Sequence, residues 1–251
     1  MVEVLESSSH GMPMYELRPA GYDGSRTVVY LHGGSYTFQI ASVQWTFVAR
    51  LARDSGARVL VPLYPLAPGS PAAQTVPTMT DLVAELIDGD GSKGLTLLGD
   101  SAGGGMALAV AQQLKARGKQ PEHLVLLAPW LDVAMTDPAL NAVEPHDYML
   151  SIGGLRYCGR QWAGDLDLAD PRVSPLHGDL TGLAPIDLFV GTRDMLVVDA
   201  RTLAKKAAGL GATLRLHEGE RMQHVYPMLW GPEAREARDE IAALVTGPCS
   251  K

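Results

Sequence analysis

Leu95-Thr96-Leu97-Leu98-Gly99-Asp100-Ser101-Ala102-Gly103-Gly104 is the stretch whose reading decides the fold. Leu95 to Leu98 is a short apolar run of the kind that forms a buried strand, and Ala102 to Arg117 has a helical pattern. Between them stands G-x-S-x-G, so a serine sits on a sharp turn directly from strand to helix. Glycines flank such a serine because the turn brings neighbouring backbones close, and the strained turn pushes the hydroxyl out at the sheet edge. A Gly-rich turn with an N-cap serine would share the pentapeptide; its placement after a strand and before a helix favours a nucleophile elbow.

The same rhythm runs outward in both directions. Apolar or β-branched runs recur at Thr27 to Leu31, Arg58 to Val61, His123 to Leu127, Ile186 to Val190 and Thr213 to Leu216. Helical patterns separate them at Val43 to Ser55, Met79 to Ile87, Asp199 to Leu210 and Pro232 to Val245. Alternation of helices with near-continuous apolar strands predicts an α/β fold: a mostly parallel, doubly wound sheet covered on both faces. Ligands of such sheets bind at the carboxyl ends of the strands. Residues 134–185 break the rhythm and read as an inserted lid in an otherwise single domain spanning 1–251. Pro65 to Pro77 reads as a Pro-rich loop.

Composition narrows the function. With 251 residues, 46% hydrophobic and 20% charged, the chain is that of a globular protein. A net charge of −7 without a long basic run makes nucleic acid and anionic membrane poor partners. The charge-free stretch between Arg26 and Arg50 contains His32, Gly33, Gly34, Ser35 and Gln44, which a bilayer core would disfavour. The first residues, acidic and without an apolar core, are unlike a secretory signal. The two cysteines, Cys158 and Cys249, lie in no metal-binding spacing and fit a cytoplasmic protein. No metal or other cofactor is expected, and a homo-oligomer is compatible with everything above.

A serine nucleophile needs a base, and an imidazole oriented by a carboxylate supplies it. After Ser101 the expected order is acid, then histidine. Asp194 follows the strand Ile186 to Val190 after a short turn. His224 follows the strand Thr213 to Leu216. Asp194 could instead cap the next helix, and Asp199 is a rival acid, but Asp194 alone directly follows the strand. His217 reads as a local packing residue, and His10, His123, His146 and His177 read as surface histidines. After the strand Thr27 to Leu31 comes His32-Gly33-Gly34-Ser35, where a loop can aim backbone N–H groups at a developing oxyanion.

These motifs together resemble the hormone-sensitive-lipase-like carboxylesterases among the α/β-hydrolases, marked by HGGG before GDSAGG. Tyr64-Pro65-Leu66-Ala67-Pro68 is similar to their Y-R-L-A-P segment. Ser174-Pro175-Leu176, Asp194 with Leu196, and Met222 with His224 resemble their S-P-L, D-P-L and M-x-H motifs. The resemblance implies Ser101 as nucleophile, His224 as base and Asp194 as orienting acid. It places the oxyanion hole at Gly34, Ser35 and Ala102, supported by Gly33, with His32 bracing the loop.

The departures are Ser35 for the third glycine, Pro65 for the arginine and Gly69 for a glutamate. The part before His32 is also shorter than in the family, whose longer N-terminal segment forms half of the cap. The expected consequence is an open cleft for short acyl esters, lined by Tyr36, Phe38, Tyr148, Met149 and Tyr226, with Tyr36, Leu196 and Tyr226 touching the substrate. The same apparatus would also serve a deacetylase, a lactonase or an acyltransferase acting on a specialised metabolite. A non-catalytic receptor of this fold would lack the histidine, and a scaffolding role would leave the ordered motifs unexplained.

Overall fold

A computed structural model describes residues 1–89 and 94–247; Cys249 lies outside them. Eight strands form one sheet in the order β1-β2-β4-β3-β5-β6-β7-β8. They are β1 (Val2–Ser9), β2 (Met12–Pro19), β3 (Thr27–Leu31), β4 (Arg58–Pro62), β5 (Leu95–Asp100), β6 (His123–Leu127), β7 (Ile186–Gly191) and β8 (Leu214–Gly219). From β4 across to β8 all neighbours are parallel. This is the α/β-hydrolase arrangement, and every strand read from the sequence lies in its parallel part.

The first two strands are a finding of the structure. β1 and β2 form an antiparallel hairpin joined through His10 and Gly11, at φ of 50° and 75°. Two successive positive φ values suit the right-handed twist of a hairpin. β2 then pairs antiparallel with β4, which leaves β1 as that edge of the sheet.

The helices are α1 (Ser42–Ser55), α2 (Ala72–Asp88), α3 (Ser101–Ala116), α4 (Leu140–Val143), α5 (Ile152–Ala163), α6 (Val197–Leu210) and α7 (Pro232–Thr246). α2 starts well before the expected Met79 and carries Pro77 inside it, so the Pro-rich loop ends at Pro71. Pro77 lies in the second turn, where only one intrahelical bond is lost to the missing N–H. Buried Val76, Met79 and Val83 hold this helix on the core. Residues 134–185, expected to form a lid, hold α4 and α5 among irregular turns.

The central strands β3, β5, β6 and β7 are buried over nearly their whole length. Burial on both faces is why they read as continuous apolar runs. Among the described residues no helix is long and apolar enough to cross a membrane.

Candidate active site

Ser101 opens α3 at φ 52°, a left-handed conformation that an L-residue adopts at a cost of order 1–3 kcal/mol. The turn is enforced from below. A Cβ on Gly103 would fall onto the carbonyl oxygens of Leu31 and His32, so α3 can cross the end of β3 only with glycine there. Ser101 is 5% exposed at the carboxyl end of the sheet.

The loop after β7 carries Asp194, which is fully buried. The loop after β8 carries His224. The two loops are tied by backbone bonds from Thr192 N to Gly219 O at 2.9 Å and from Arg193 N to Met222 O at 3.0 Å. Nδ1 of His224 donates to Oδ2 of Asp194 at 2.8 Å. Oδ1 of the same carboxylate accepts from Leu196 N at 2.9 Å. Because Nδ1 holds the proton, Nε2 is left as the basic nitrogen. Burial works against a charged His224, but the carboxylates of Asp194, Asp100 and Asp147 outweigh it and raise its pKa above the ordinary 6.5. Asp199, the rival acid, bonds instead to the backbone N–H of Asp132 at 3.1 Å.

Ser101 and His224 face a common cleft of about 250 Å³ walled by Gly34, Ser35, Phe38, Val43, Leu150 and Met228. The loop bearing Gly34 is held from behind. Gly34 sits at φ 123°, a region natural only to glycine, and its carbonyl accepts from Phe38 N at 2.8 Å. His32 stacks on Tyr64 at 4.3 Å, and Tyr64 Oη donates to His32 O at 2.5 Å. His32 Nδ1 donates to Gly33 O at 2.7 Å, and burial lowers the pKa of the ring, which keeps it neutral.

Gly33 does something other than expected. Its N–H donates to Oδ1 of Asp100 at 2.8 Å and is therefore committed inside the protein. Asp100 is a buried hub that also accepts from Tyr30 Oη and, at 2.9 and 3.1 Å, from Gln44 Nε2. Among the described residues no protein acceptor engages the N–H groups of Gly34, Ser35 and Ala102.

The three residues expected to touch substrate lie elsewhere. Tyr36 is buried in the core, stacked on Trp162 at 3.9 Å and near Trp130 at 5.6 Å. Leu196 is fully buried beneath the acid loop, which its N–H helps to hold. Tyr226 lines a separate acidic hollow with His217, Glu233, Glu236 and Glu240, and burial together with the charges of Glu240 and Glu236 pushes its pKa up to about 12. Of the other residues read as lining, Phe38 reaches the cleft; Tyr148 and Met149 stand exposed beside Leu150. The sequence reading missed Gln44, whose only signal is its helical position three residues after Ala41, where its Oε1 accepts the N-cap N–H at 2.7 Å.

A larger cavity of about 340 Å³, lined by Arg26, Thr96, His123, Arg215 and Glu240, sits at the opposite, amino end of the strands. Its lining includes the Arg26–Glu122 ion pair, and it lies at the end of the sheet opposite Ser101.

Residues 28–228 match a family model described as the alpha/beta hydrolase fold. The chain is 34% identical over 235 residues to an acetyl-hydrolase of Streptomyces hygroscopicus, covering 91% of this chain and 78% of that protein. It is 31% identical to an esterase of Acinetobacter venetianus, covering 88% of this chain and 75% of the relative. A triacylglycerol lipase of Mycobacterium tuberculosis is 36% identical over 80% of this chain but only 42% of its own length. Among solved structures, one described as a hormone-sensitive lipase from a metagenome library superposes with a TM-score of 0.91 at 26% identity, covering 98% of this chain and 85% of that one. By this likeness of sequence and structure the chain belongs to the α/β-hydrolase family and, within it, to the carboxylic ester hydrolases that resemble hormone-sensitive lipase.

Proposed function

We propose that the protein is a serine carboxylesterase that hydrolyses short-chain acyl esters through Ser101, His224 and Asp194. The observation that carries this reading is the 2.8 Å bond from His224 Nδ1 to the buried Asp194 carboxylate, with Ser101 in the same cleft. Asp194 fixes the tautomer and stabilises the imidazolium that forms. His224 Nε2 takes the Ser101 proton as Oγ attacks the ester carbonyl. The oxyanion accepts from the N–H groups of Gly34, Ser35 and Ala102, while Gly33 serves the loop through Asp100. His224 then returns the proton to the leaving alkoxide. Water, deprotonated in turn by His224, cleaves the acyl-enzyme and frees the serine.

Short chains are supported by the small cleft, about 250 Å³, and by the aromatic packing of Tyr36, Trp130 and Trp162 next to the oxyanion loop. The acetyl-hydrolase relative favours acetyl esters within that class. The whole chain acts in this reading as one hydrolase domain with residues 134–185 as its lid, and it uses no cofactor.

Hydrolysis of p-nitrophenyl esters from acetate to palmitate by the wild type and Ser101→Ala tests the proposal. Activity is expected to peak at acetate or butyrate and to drop by several powers of ten in the variant. Retained activity in Ser101→Ala overturns the nucleophile; a maximum at palmitate overturns the short-chain pocket.

A further inference from the structure

The lid is fastened to both loops that carry the acid and the base. Asp147, just before α5 and 8% exposed, directs its carboxylate at three backbone N–H groups. Oδ1 accepts from Met149 N and Leu150 N, each at 2.9 Å, and Oδ2 accepts from Met195 N at 2.9 Å. Met195 immediately follows Asp194, and Leu150 is a wall of the cleft. A second tie lies alongside. Gln223, the neighbour of His224, accepts from Tyr148 N at 3.2 Å and donates through Nε2 to His146 O at 3.0 Å.

We propose that Asp147 is a positioning residue for ester hydrolysis, locking the lid segment 146–150 to the acid loop and adding its negative charge to the field at His224. The inference rests on the triad reading given above. Three backbone N–H donors converge on this one buried carboxylate, which fixes its place between the lid segment and the acid loop. The charged groups that face His224 are Asp194 from the loop after β7, Asp100 from the end of β5 and Asp147 from the lid. Asp194 bonds the ring and Asp100 is spent on the oxyanion loop, which leaves Asp147 as the carboxylate by which lid position reaches the base. When the lid segment leaves the acid loop, the base loses a stabilising charge and the cleft loses the Leu150 wall together.

The test is the pH dependence of p-nitrophenyl acetate hydrolysis by the wild type, Asp147→Asn and Gln223→Ala. In Asp147→Asn an amide N–H₂ must face one of the three N–H donors, and the charge is gone. The expected result is a kcat lower by about tenfold to a hundredfold with a smaller change in KM, and an acid limb of kcat/KM displaced to lower pH. Gln223→Ala cuts the other tie but keeps the Asp147 charge, so kcat falls while the acid limb stays. An acid limb of Asp147→Asn that superimposes on the wild type overturns the proposal. Should that variant fail to fold, wild-type kcat in Gln223→Ala overturns the fastening. Activity surviving in Ser101→Ala would sink the triad reading separately, whatever the lid variants do.

Discussion

The Gly33 N–H donates to the Asp100 carboxylate at 2.8 Å, so the loop of Gly33, Gly34 and Ser35 is bonded to the residue directly before Ser101. In the proposed mechanism this holds nucleophile and oxyanion donors in one register, which is what electrostatic preorganisation requires. Asp100→Asn replaces one acceptor oxygen by a donor facing Tyr30, Gly33 and Gln44. Steady-state kinetics on p-nitrophenyl acetate are expected to show kcat down by about 10- to 100-fold. Thermal or denaturant unfolding is expected to show a loss of about 1–3 kcal/mol for the buried donors left unpaired. Wild-type kcat in this variant would show that the loop keeps its place without Asp100.

In the proposed mechanism His224 sets the pH dependence. Its neutral form would be the base, and the surrounding carboxylates raise its pKa above 6.5. A pH–rate profile of kcat/KM is therefore expected to rise through a midpoint above 6.5. Stability runs the other way: with the folded pKa raised, the contribution of this group is complete below the unfolded value and is lost as pH rises through the folded one. His224→Gln should remove both dependences, and an acid limb below 6.5 in the wild type would contradict the electrostatics described.

The centre of the parallel sheet was legible because burial on both faces leaves β3, β5, β6 and β7 few polar residues; His123-Leu124-Val125-Leu126-Leu127 can be little else. The β1–β2 hairpin was not, since Val2–Ser9 is mostly polar and lies at an edge with one partner strand. That Ser101, Asp194 and His224 lie at one end of the sheet could be read because each follows a recognisable strand. Tyr36 was misplaced because an aromatic after a Gly-rich loop reads alike whether it turns to the cleft or the core. Its stacking on Trp162 depends on α5, a helix obscured by Gly153 and Gly154, although Ser151 capping Gly154 N at 3.2 Å was a usable sign. The bonds from Asp147 to Met195 and from Gln223 to Tyr148 and His146 join groups distant in sequence, which no local pattern announces.

The Tyr36–Trp162 pair, with ring planes 6° apart, fills the space between the oxyanion loop and α5. Trp162→Ala leaves a large void beside a loop with little backbone freedom. Denaturant unfolding is expected to show a loss of about 3–5 kcal/mol, and Trp162→Phe much less. Equal stability of the Ala variant and wild type would mean that the site collapses around the missing ring.

Asp199 offers a pH-dependent test of stability that is independent of catalysis. Burial first, then the nearby charges of Asp132 and Asp137, raise its pKa from 3.8 to about 7. The folded state thus binds this proton more tightly than the unfolded chain. Its contribution is present below 3.8 and is lost as pH climbs toward about 7, where the buried group must ionise beside Asp132. Asp199→Asn keeps an oxygen for the Asp132 N–H and cannot ionise. Melting temperatures measured from about pH 4 to pH 8 are expected to show the Asn variant gaining on the wild type as pH rises, with the gap levelling off above about pH 7. A gap that stays constant across that range would mean that Asp199 ionises in the folded protein as readily as in the unfolded chain.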